Sequence, residues 1–122
     1  MDTRQQGKGA IVMLSLPTII IILFAHWVVD FVLQPNWMAQ GKSKAYLPLL
    51  SHAAAYTLVL ALVHPLWAII NGVLHLVVDY FTSRISAKLY AKGDIHNFFV
   101  VIGLDQFIHA ITLLTTYYYI VL

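Results

Sequence analysis

Histidine and aspartate recur four residues apart in three apolar stretches of the chain, and one more histidine lies in a fourth stretch. The residues are His26, Asp30, His52, His75, Asp79, Asp105 and His109. Residues four apart in a helix share one face, one turn above the other. Imidazole nitrogens and carboxylate oxygens form the ligand set of zinc, manganese and iron. The spacing therefore predicts a metal site built from several helices.

Four histidines and three aspartates suffice for one or two divalent ions, with zinc favoured and manganese or iron as alternatives. Such an ion makes bound water acidic enough to act as a nucleophile near neutral pH. We therefore predict a metal-dependent hydrolase, in which an aspartate not needed as a ligand serves as general base. The candidates for that role are Asp30, Asp79 and Asp105. Three further polar residues, Gln34, Asn71 and Gln106, are expected either to support the ligands or to bond neighbouring helices.

The composition indicates where these helices lie. Hydrophobic residues make up 61% and charged residues 10% of the 122 residues, against roughly 45–50% and about 25% in soluble domains. This excludes a soluble globule, a disordered chain and a nucleic-acid-binding basic domain, and we expect no nucleic-acid partner. Because the chain has no cysteine, disulfides and thiolate metal sites are excluded as well. The partner that the composition predicts is a lipid bilayer.

Uncharged runs predict four spans, at residues 10–33, 45–63, 65–84 and 97–120, in a single integral-membrane domain over residues 1–122. The run at residues 45–78 is too long for one crossing of a ~30 Å hydrocarbon core, and His64-Pro65 divides it. Gly93 is a predicted helix stop and Asp94 a predicted cap. Since backbone groups in lipid must be satisfied internally, we predict an all-α, four-helix transmembrane bundle.

A short repeat relates the first and third spans. His26-Trp-Val-Val-Asp30-Phe31 matches His75-Leu-Val-Val-Asp79-Tyr80 at four of six positions. This suggests two helical hairpins that form parallel repeats. His26, His52 and His75 each lie about eight residues, or ~12 Å, from helix ends on the same side. The polar residues of the four spans are therefore expected to meet in one layer.

Basic residues predict the orientation. Lys42, Lys44, Arg84, Lys88 and Lys92 lie on one side of the predicted bundle, and Arg4 and Lys8 lie on the other. By the positive-inside rule, both termini face out of the cytoplasm, across a bacterial inner membrane. The basic residues are topology and anionic-lipid signals in the simplest interpretation. Alternatively, Lys44 and Arg84 hold a phosphate group of a substrate reached from the cytoplasmic leaflet.

Two other function classes stay open. The polar layer can pass a metal ion or protons, which in so short a chain requires a homo-oligomer. It can also simply hold the bundle together in a regulatory or interaction protein, with no catalysis. His64, in the outer turn, and His96, in a loop, are expected to be solvated and not to bind metal.

An ordered set of residues resembles domain-of-unknown-function family 3307, small integral-membrane proteins of bacteria and their phages. The set is His26-x-x-x-Asp30-Phe31-x-Leu33-Gln34, Met38-Ala39-x-x-Lys42, His52, His75-x-x-x-Asp79-Tyr80 and Asp105-Gln106-x-x-His109. The resemblance implies a membrane protein and assigns it no activity. In the family a lysine often follows the second Asp-Tyr; here Thr82, Ser83 and Arg84 occupy that stretch, with Arg84 as the substitute. The His-x-x-x-Asp helices are also similar, more distantly, to membrane-bound metal-dependent hydrolases.

Overall fold

The computed structural model describes residues 13–122, and over that part the chain is all-helical, as predicted. The helices are α1 (Leu16–Trp27), which continues into a π-helical turn (Val28–Val32), α2 (Asn36–Gly41), α3 (Tyr46–Ala61), α4 (Pro65–Ala91) and α5 (Ile95–Ile120). The start of the predicted first span, residues 10–12, and the two N-terminal basic residues Arg4 and Lys8 lie outside the described residues.

A break between two helices lies where His64-Pro65 predicts it. Helix α3 ends at Ala61, and α4 begins at Pro65, whose fixed backbone angle suits the first helical position. His64 is the N-cap of α4: its Nδ1 accepts a hydrogen bond of 3.3 Å from the backbone N–H of Trp67. His64 therefore has a structural role in addition to its place in the turn.

Helix α4 is longer than predicted. It continues seven residues past Arg84 to Ala91, because the alanines, Leu89 and Lys88 of this segment favour helix. Gly93, with a φ of 76°, ends the helix, and Asp94 caps α5 by accepting a hydrogen bond from Asn97 N–H, both as predicted. Hydrogen bonds from the side chain and backbone of Asn97 also hold the pKa of Asp94 below its usual value. Helix α2 was not predicted.

Helix α4 is central, since it packs against both α3 and α5, while α1 contacts α3 and α5. Buried apolar residues fill the space between the helices, most of them toward the α3–α4 turn. They are Ile22, Val29, Tyr56, Leu60, Trp67, Ala68 and Leu113. The Trp67 indole N–H donates to the Leu113 carbonyl at 3.1 Å, so its polar atom is satisfied inside this core. This core closes one end of the structure.

The distribution of polarity is inverted relative to a soluble protein. Among residues 13–122, half of the buried residues are polar or charged, whereas Leu58, Phe81 and Phe107 are each more than half exposed. Helices α4 and α5 are long and apolar enough to cross a membrane, by length and composition; residues Leu16–Val32 and Tyr46–Ala61 form shorter apolar helices. Burying the polar groups and exposing the apolar ones is what an apolar surrounding favours.

Gly72 marks a close approach of α3 and α4 and gives a stability prediction. A Cβ at this position would collide with Thr57 Oγ1, which already donates to the Ala53 carbonyl at 2.8 Å. We expect Gly72→Ala to lower the free energy of unfolding by about 1–3 kcal/mol through overpacking. Thermal unfolding in detergent measures the effect.

Gly103 supplies the matched control, because a Cβ there meets no atom within 4 Å. Gly103→Ala is expected to be neutral or to stabilise α5 by up to about 1 kcal/mol, the difference in helix propensity. Adding Thr57→Ala to Gly72→Ala should restore part of the loss. Equal melting temperatures for the two glycine variants would contradict the close approach.

Candidate metal centre

The seven His and Asp residues singled out above converge in one buried cluster. His26 comes from α1, Asp30 from the π-helical turn and His52 from α3; α4 supplies His75 and Asp79, and α5 supplies Asp105 and His109. All seven residues are buried, with 8% exposure of the residue at most. The cluster adjoins the apolar core, since Tyr56 of that core stacks on His75 with ring centroids 4.0 Å apart. Three buried carboxylates require compensation by cations or protons, since an uncompensated buried charge is strongly unfavourable.

Asp30 lies in the π-helical turn, where the N–H of Leu33 donates to the carbonyl of Val28 at 2.8 Å. Such turns contain one residue more than an α-helical turn and often lie at functional sites. Consequently His26 and Asp30 do not form a close pair, since Nε2 and Oδ2 are 3.7 Å apart. Each of the two side chains has other partners.

Four residues form a first group, which we call the inner site: Asp30, His52, His75 and Asp79. His52 Nε2 lies 2.9 Å from Asp30 Oδ1 and 3.5 Å from Asp79 Oδ2. His75 Nε2 lies 3.6 Å from Asp30 Oδ1 and 3.3 Å from Asp79 Oδ2. Tetrahedral zinc with bonds of about 2.0–2.1 Å holds its ligand atoms about 3.3 Å apart. The four distances, from 2.9 to 3.6 Å, lie on both sides of that value, so small side-chain adjustments would bring the four atoms to a tetrahedral shell.

The two ring nitrogens of the inner site also face each other, with His52 Nε2 2.9 Å from His75 Nε2. Two imidazole nitrogens at this distance share one proton or direct two lone pairs at a cation. Neither Nδ1 has a hydrogen-bond partner within the described part of the chain. Ring packing holds the orientation instead: Tyr56 stacks on His75 with centroids 4.0 Å apart.

Three residues, Asp30, Asp105 and His109, form a second group that can hold an ion. We call it the outer site. His109 Nε2 lies 3.2 Å from Asp105 Oδ1 and 3.1 Å from Asp79 Oδ1. The Thr82 hydroxyl donates to Asp105 Oδ1 at 2.5 Å and fixes that carboxylate. Asp30 belongs to both groups, which makes the two sites contiguous.

His26, a predicted metal ligand, lies outside both groups. Its Nε2 is 2.8 Å from Gln106 Oε1, and its Nδ1 is 3.1 Å from the Tyr56 hydroxyl. Because an amide oxygen only accepts, Nε2 carries the proton and Nδ1 accepts from Tyr56. Both ring nitrogens are therefore occupied, and His26 orients Gln106 in this arrangement.

Of the three residues predicted to support the ligands, two contact the cluster and one does not. Gln106 Nε2 donates to Asp30 Oδ2 at 2.7 Å and to Asp105 Oδ2 at 3.2 Å, so it links the two sites. Gln34 Nε2 donates to the Asp30 backbone carbonyl at 2.8 Å. Asn71 Nδ2 instead donates to Thr116 Oγ1 at 2.8 Å and to the Trp67 carbonyl. Asn71 therefore joins α4 to α5 away from the metal ligands.

A cavity of about 230 Å³ lies beside the cluster, on the side opposite the apolar core. Asp30, Asp105 and Gln106 contribute its polar side, while Phe31, Phe98, Val101 and Ile102 contribute apolar walls. The remaining lining residues are Gln34, Ala39, Lys42, Thr82, Ser83 and Ser86. The cluster is therefore accessible from the end of the structure that contains α2 and the α4–α5 turn.

Lys42 is the positively charged residue among those that line the cavity, and its Nζ lies 3.1 Å from Asp79 Oδ2. The predicted phosphate contacts lie elsewhere: Lys44 is exposed, and Arg84 donates to the Tyr80 carbonyl and stacks on the Tyr80 ring at 3.7 Å. Neither lines the cavity. His96 is exposed on α5.

Sequence reasoning gave no role at the site to Lys42, Tyr56 or Thr82. Tyr56 lies four residues after His52 and Thr82 three after Asp79, so the helical spacing that paired His with Asp could have identified both. Lys42 follows α2 in an irregular connection, where spacing gives no direction. The sequence feature that could have identified Lys42 is its place in Met38-Ala39-x-x-Lys42, part of the residue set that resembles the family.

Charge compensation follows from these contacts. With neutral histidines, the three carboxylates and the Lys42 ammonium leave two negative charges in a buried cluster. One divalent cation balances them, as do two protons on histidines. The geometry therefore supports two chemistries, metal binding and proton binding.

Comparison with known families gives a match over most of the chain. The family described as "Protein of unknown function (DUF3307)" matches residues 18–122, which include all of the cluster and the cavity. The chain therefore belongs to this family. No match was found among curated proteins or among solved structures.

Proposed function

We propose that this family member is an integral-membrane, metal-dependent hydrolase that acts on a lipid or lipid-linked phosphate or ester near the cytoplasmic leaflet. The inner site carries the proposal: four ligand atoms on three helical elements have the spacing of a tetrahedral shell, beside an open cavity. Zinc is the favoured ion, with manganese and iron as alternatives.

A four-helix transmembrane bundle is part of this proposal. The apolar side chains exposed on α1, α3, α4 and α5 would face lipid, and the buried polar cluster would be shielded from it. Helix α1 with its π-helical turn and α3 would be the two shorter spans. Both termini would lie outside the cytoplasm by the positive-inside rule, so that the cavity faces the cytoplasmic leaflet.

The size of the cavity limits what enters it. About 230 Å³ holds a phosphate or ester group with a short linker but no acyl chain. The chains would remain in the bilayer, next to Phe31, which lines the cavity and is half exposed. Lys42 would neutralise a phosphate oxygen, since its ammonium is already at the cavity wall.

A divalent ion supplies a water nucleophile that ionises near neutral pH. Asp105, which lines the cavity and accepts hydrogen bonds from Thr82 and Gln106, would accept the proton of that water. Hydrolysis of the ester bond at phosphorus or carbonyl carbon would then return this proton from Asp105 to the departing alcohol. Asp30 and Asp79, which contact the histidines, serve as ligands.

The closed end of the structure favours hydrolysis over transport. Tyr56, Leu60, Trp67 and Leu113, each at most 1% exposed, fill the space between the cluster and the α3–α4 turn. A path for ions or protons across the chain would have to pass this apolar core. A site reached from one side needs no such path.

The test is metal content together with turnover. The protein is purified in detergent without chelator or nickel affinity steps and analysed for metals, then offered phosphatidic acid, a lipid pyrophosphate and a lysophospholipid. We expect a bound divalent ion, hydrolysis of at least one substrate, and loss of activity on chelation that zinc or manganese restores. A metal-free protein that hydrolyses at the same rate overturns the metal requirement. Zinc flux in proteoliposomes without hydrolysis indicates transport instead.

A further inference from the structure

The two oxygens of Asp79 face different histidines. Oδ2 lies 3.3 Å from His75 Nε2 and 3.5 Å from His52 Nε2, in the inner site. Oδ1 lies 3.1 Å from His109 Nε2, in the outer site. A carboxylate whose oxygens face two separate sets of nitrogen donors has the arrangement of a bridge between two cations.

The two carboxylate oxygens of Asp30 also face different groups. Its Oδ1 contacts His52 in the inner site, whereas its Oδ2 accepts from Gln106, which also contacts Asp105. Asp30 is also the residue shared by both ion-holding groups. Two carboxylates thus lie between the histidine pair on one side and Asp105 with His109 on the other.

We propose that the outer site holds a second divalent cation, bridged to the inner one by Asp30 and Asp79, and that this second ion binds an anionic phosphate group of the substrate. Asp105 and His109 are its own ligands. Asp105 then takes this place instead of the role of proton acceptor, since water bound to divalent ions ionises near neutral pH without a separate base. This inference rests on the proposed function and deepens it, because it selects phosphate esters over carboxylic esters.

The cavity gives independent support for a ligand at this position. Ser83 is 7% exposed, lines the cavity, and its hydroxyl has no hydrogen-bond partner within residues 13–122. The side-chain amide oxygen of Gln34, which lines the same cavity, is also buried and has no hydrogen-bond partner within residues 13–122. Buried polar atoms without partners are rare. The Ser83 hydroxyl can donate to a phosphate oxygen, whereas the Gln34 amide oxygen only accepts and would need a donor such as a substrate hydroxyl.

Charge selects the class of ligand. One divalent ion balances the two net negative charges of the cluster, and a second leaves it with two positive charges. Such an excess in a buried site favours an anionic ligand. Two ions about 3.5–4 Å apart are the arrangement that stabilises both the attacking and the leaving oxygen in phosphoryl hydrolysis. The Lys42 ammonium, whose charge is already included in this balance, lies at the cavity wall.

The experiment counts ions on the detergent-solubilised protein, made metal-free and then titrated with zinc, and in parallel with manganese. We expect two ions per chain in the wild type and one in Asp105→Asn and in His109→Asn. Bound manganese should give the exchange-coupled signal of two neighbouring ions by electron paramagnetic resonance. Asp105→Asn should convert it to that of an isolated ion. Inorganic phosphate should bind zinc-saturated wild type about tenfold or more tightly than Asp105→Asn.

Matched controls lie on or beside the same helix: Asp94→Asn keeps a good N-cap at α5, and His96→Asn changes an exposed histidine. Both should retain two ions. A wild type that saturates at one ion overturns the second site and leaves the proposed hydrolase intact, whereas one that binds none overturns both. Two ions without enhanced phosphate binding overturn the assignment of the substrate class.

Discussion

Replacing His75 with asparagine is expected to lower metal-dependent turnover by about a thousandfold or more, because loss of a ligand removes several kcal/mol of transition-state stabilisation. His75 is 1% exposed, and its Nε2 lies 2.9 Å from His52 Nε2 and 3.3 Å from Asp79 Oδ2. Asparagine is too short to place a nitrogen there. The measurements are kcat on the substrate identified by the lipid panel and zinc content per chain.

His64→Asn is the matched control, since it makes the same substitution at the start of the same helix. Asparagine is one of the preferred N-cap residues and can accept the hydrogen bond from Trp67 N–H, so α4 should remain intact. Turnover and zinc content should then equal those of the wild type. If His75→Asn keeps both its ion and its rate while helix content is unchanged, the inner site is not the catalytic centre.

The helices that the sequence predicted well are those with a local signal at each end. Pro65 separates α3 from α4, and Gly93 with Asp94 separates α4 from α5, because each fixes the backbone through its own chemistry. The extension of α4 beyond Arg84 was missed, since polar residues were interpreted as a loop. Its residues nonetheless have good helix propensity.

Convergence of the seven residues could be predicted because depth along a helix follows from residue number alone. Their division into two sites could not, since it depends on how each helix is rotated about its axis. The π-helical turn adds a residue next to Asp30 and changes that rotation. The contacts of His26 show the effect of this rotation. His26 has the same spacing to Asp30 as His75 has to Asp79, yet its ring nitrogens contact Tyr56 and Gln106 and not the aspartate.

Zinc is expected to raise the free energy of unfolding of the protein by several kcal/mol. A ligand that binds only the folded state adds about 4 kcal/mol when its free concentration is 1,000 times Kd. Without an ion, the buried cluster keeps two uncompensated negative charges or must bind protons. We therefore expect chelation to lower the melting temperature in detergent markedly, and zinc to restore it. A double variant, His52→Asn with His75→Asn, should lose the part of this increment that the inner site contributes, so that zinc raises its melting temperature by less than it raises that of the wild type.

The pH dependence of this zinc effect separates an ion from protons as the compensating charge. Metal ligation requires neutral imidazoles, so the stabilisation by zinc should be largest near pH 8 and shrink toward about pH 6, as protons compete for the histidines. The chelated protein should be relatively more stable at the lower pH, because protons then balance Asp30, Asp79 and Asp105. A protein that only uses these residues to join its helices would show no zinc increment at any pH, and His64→Asn would be indistinguishable from the double variant in its response to zinc.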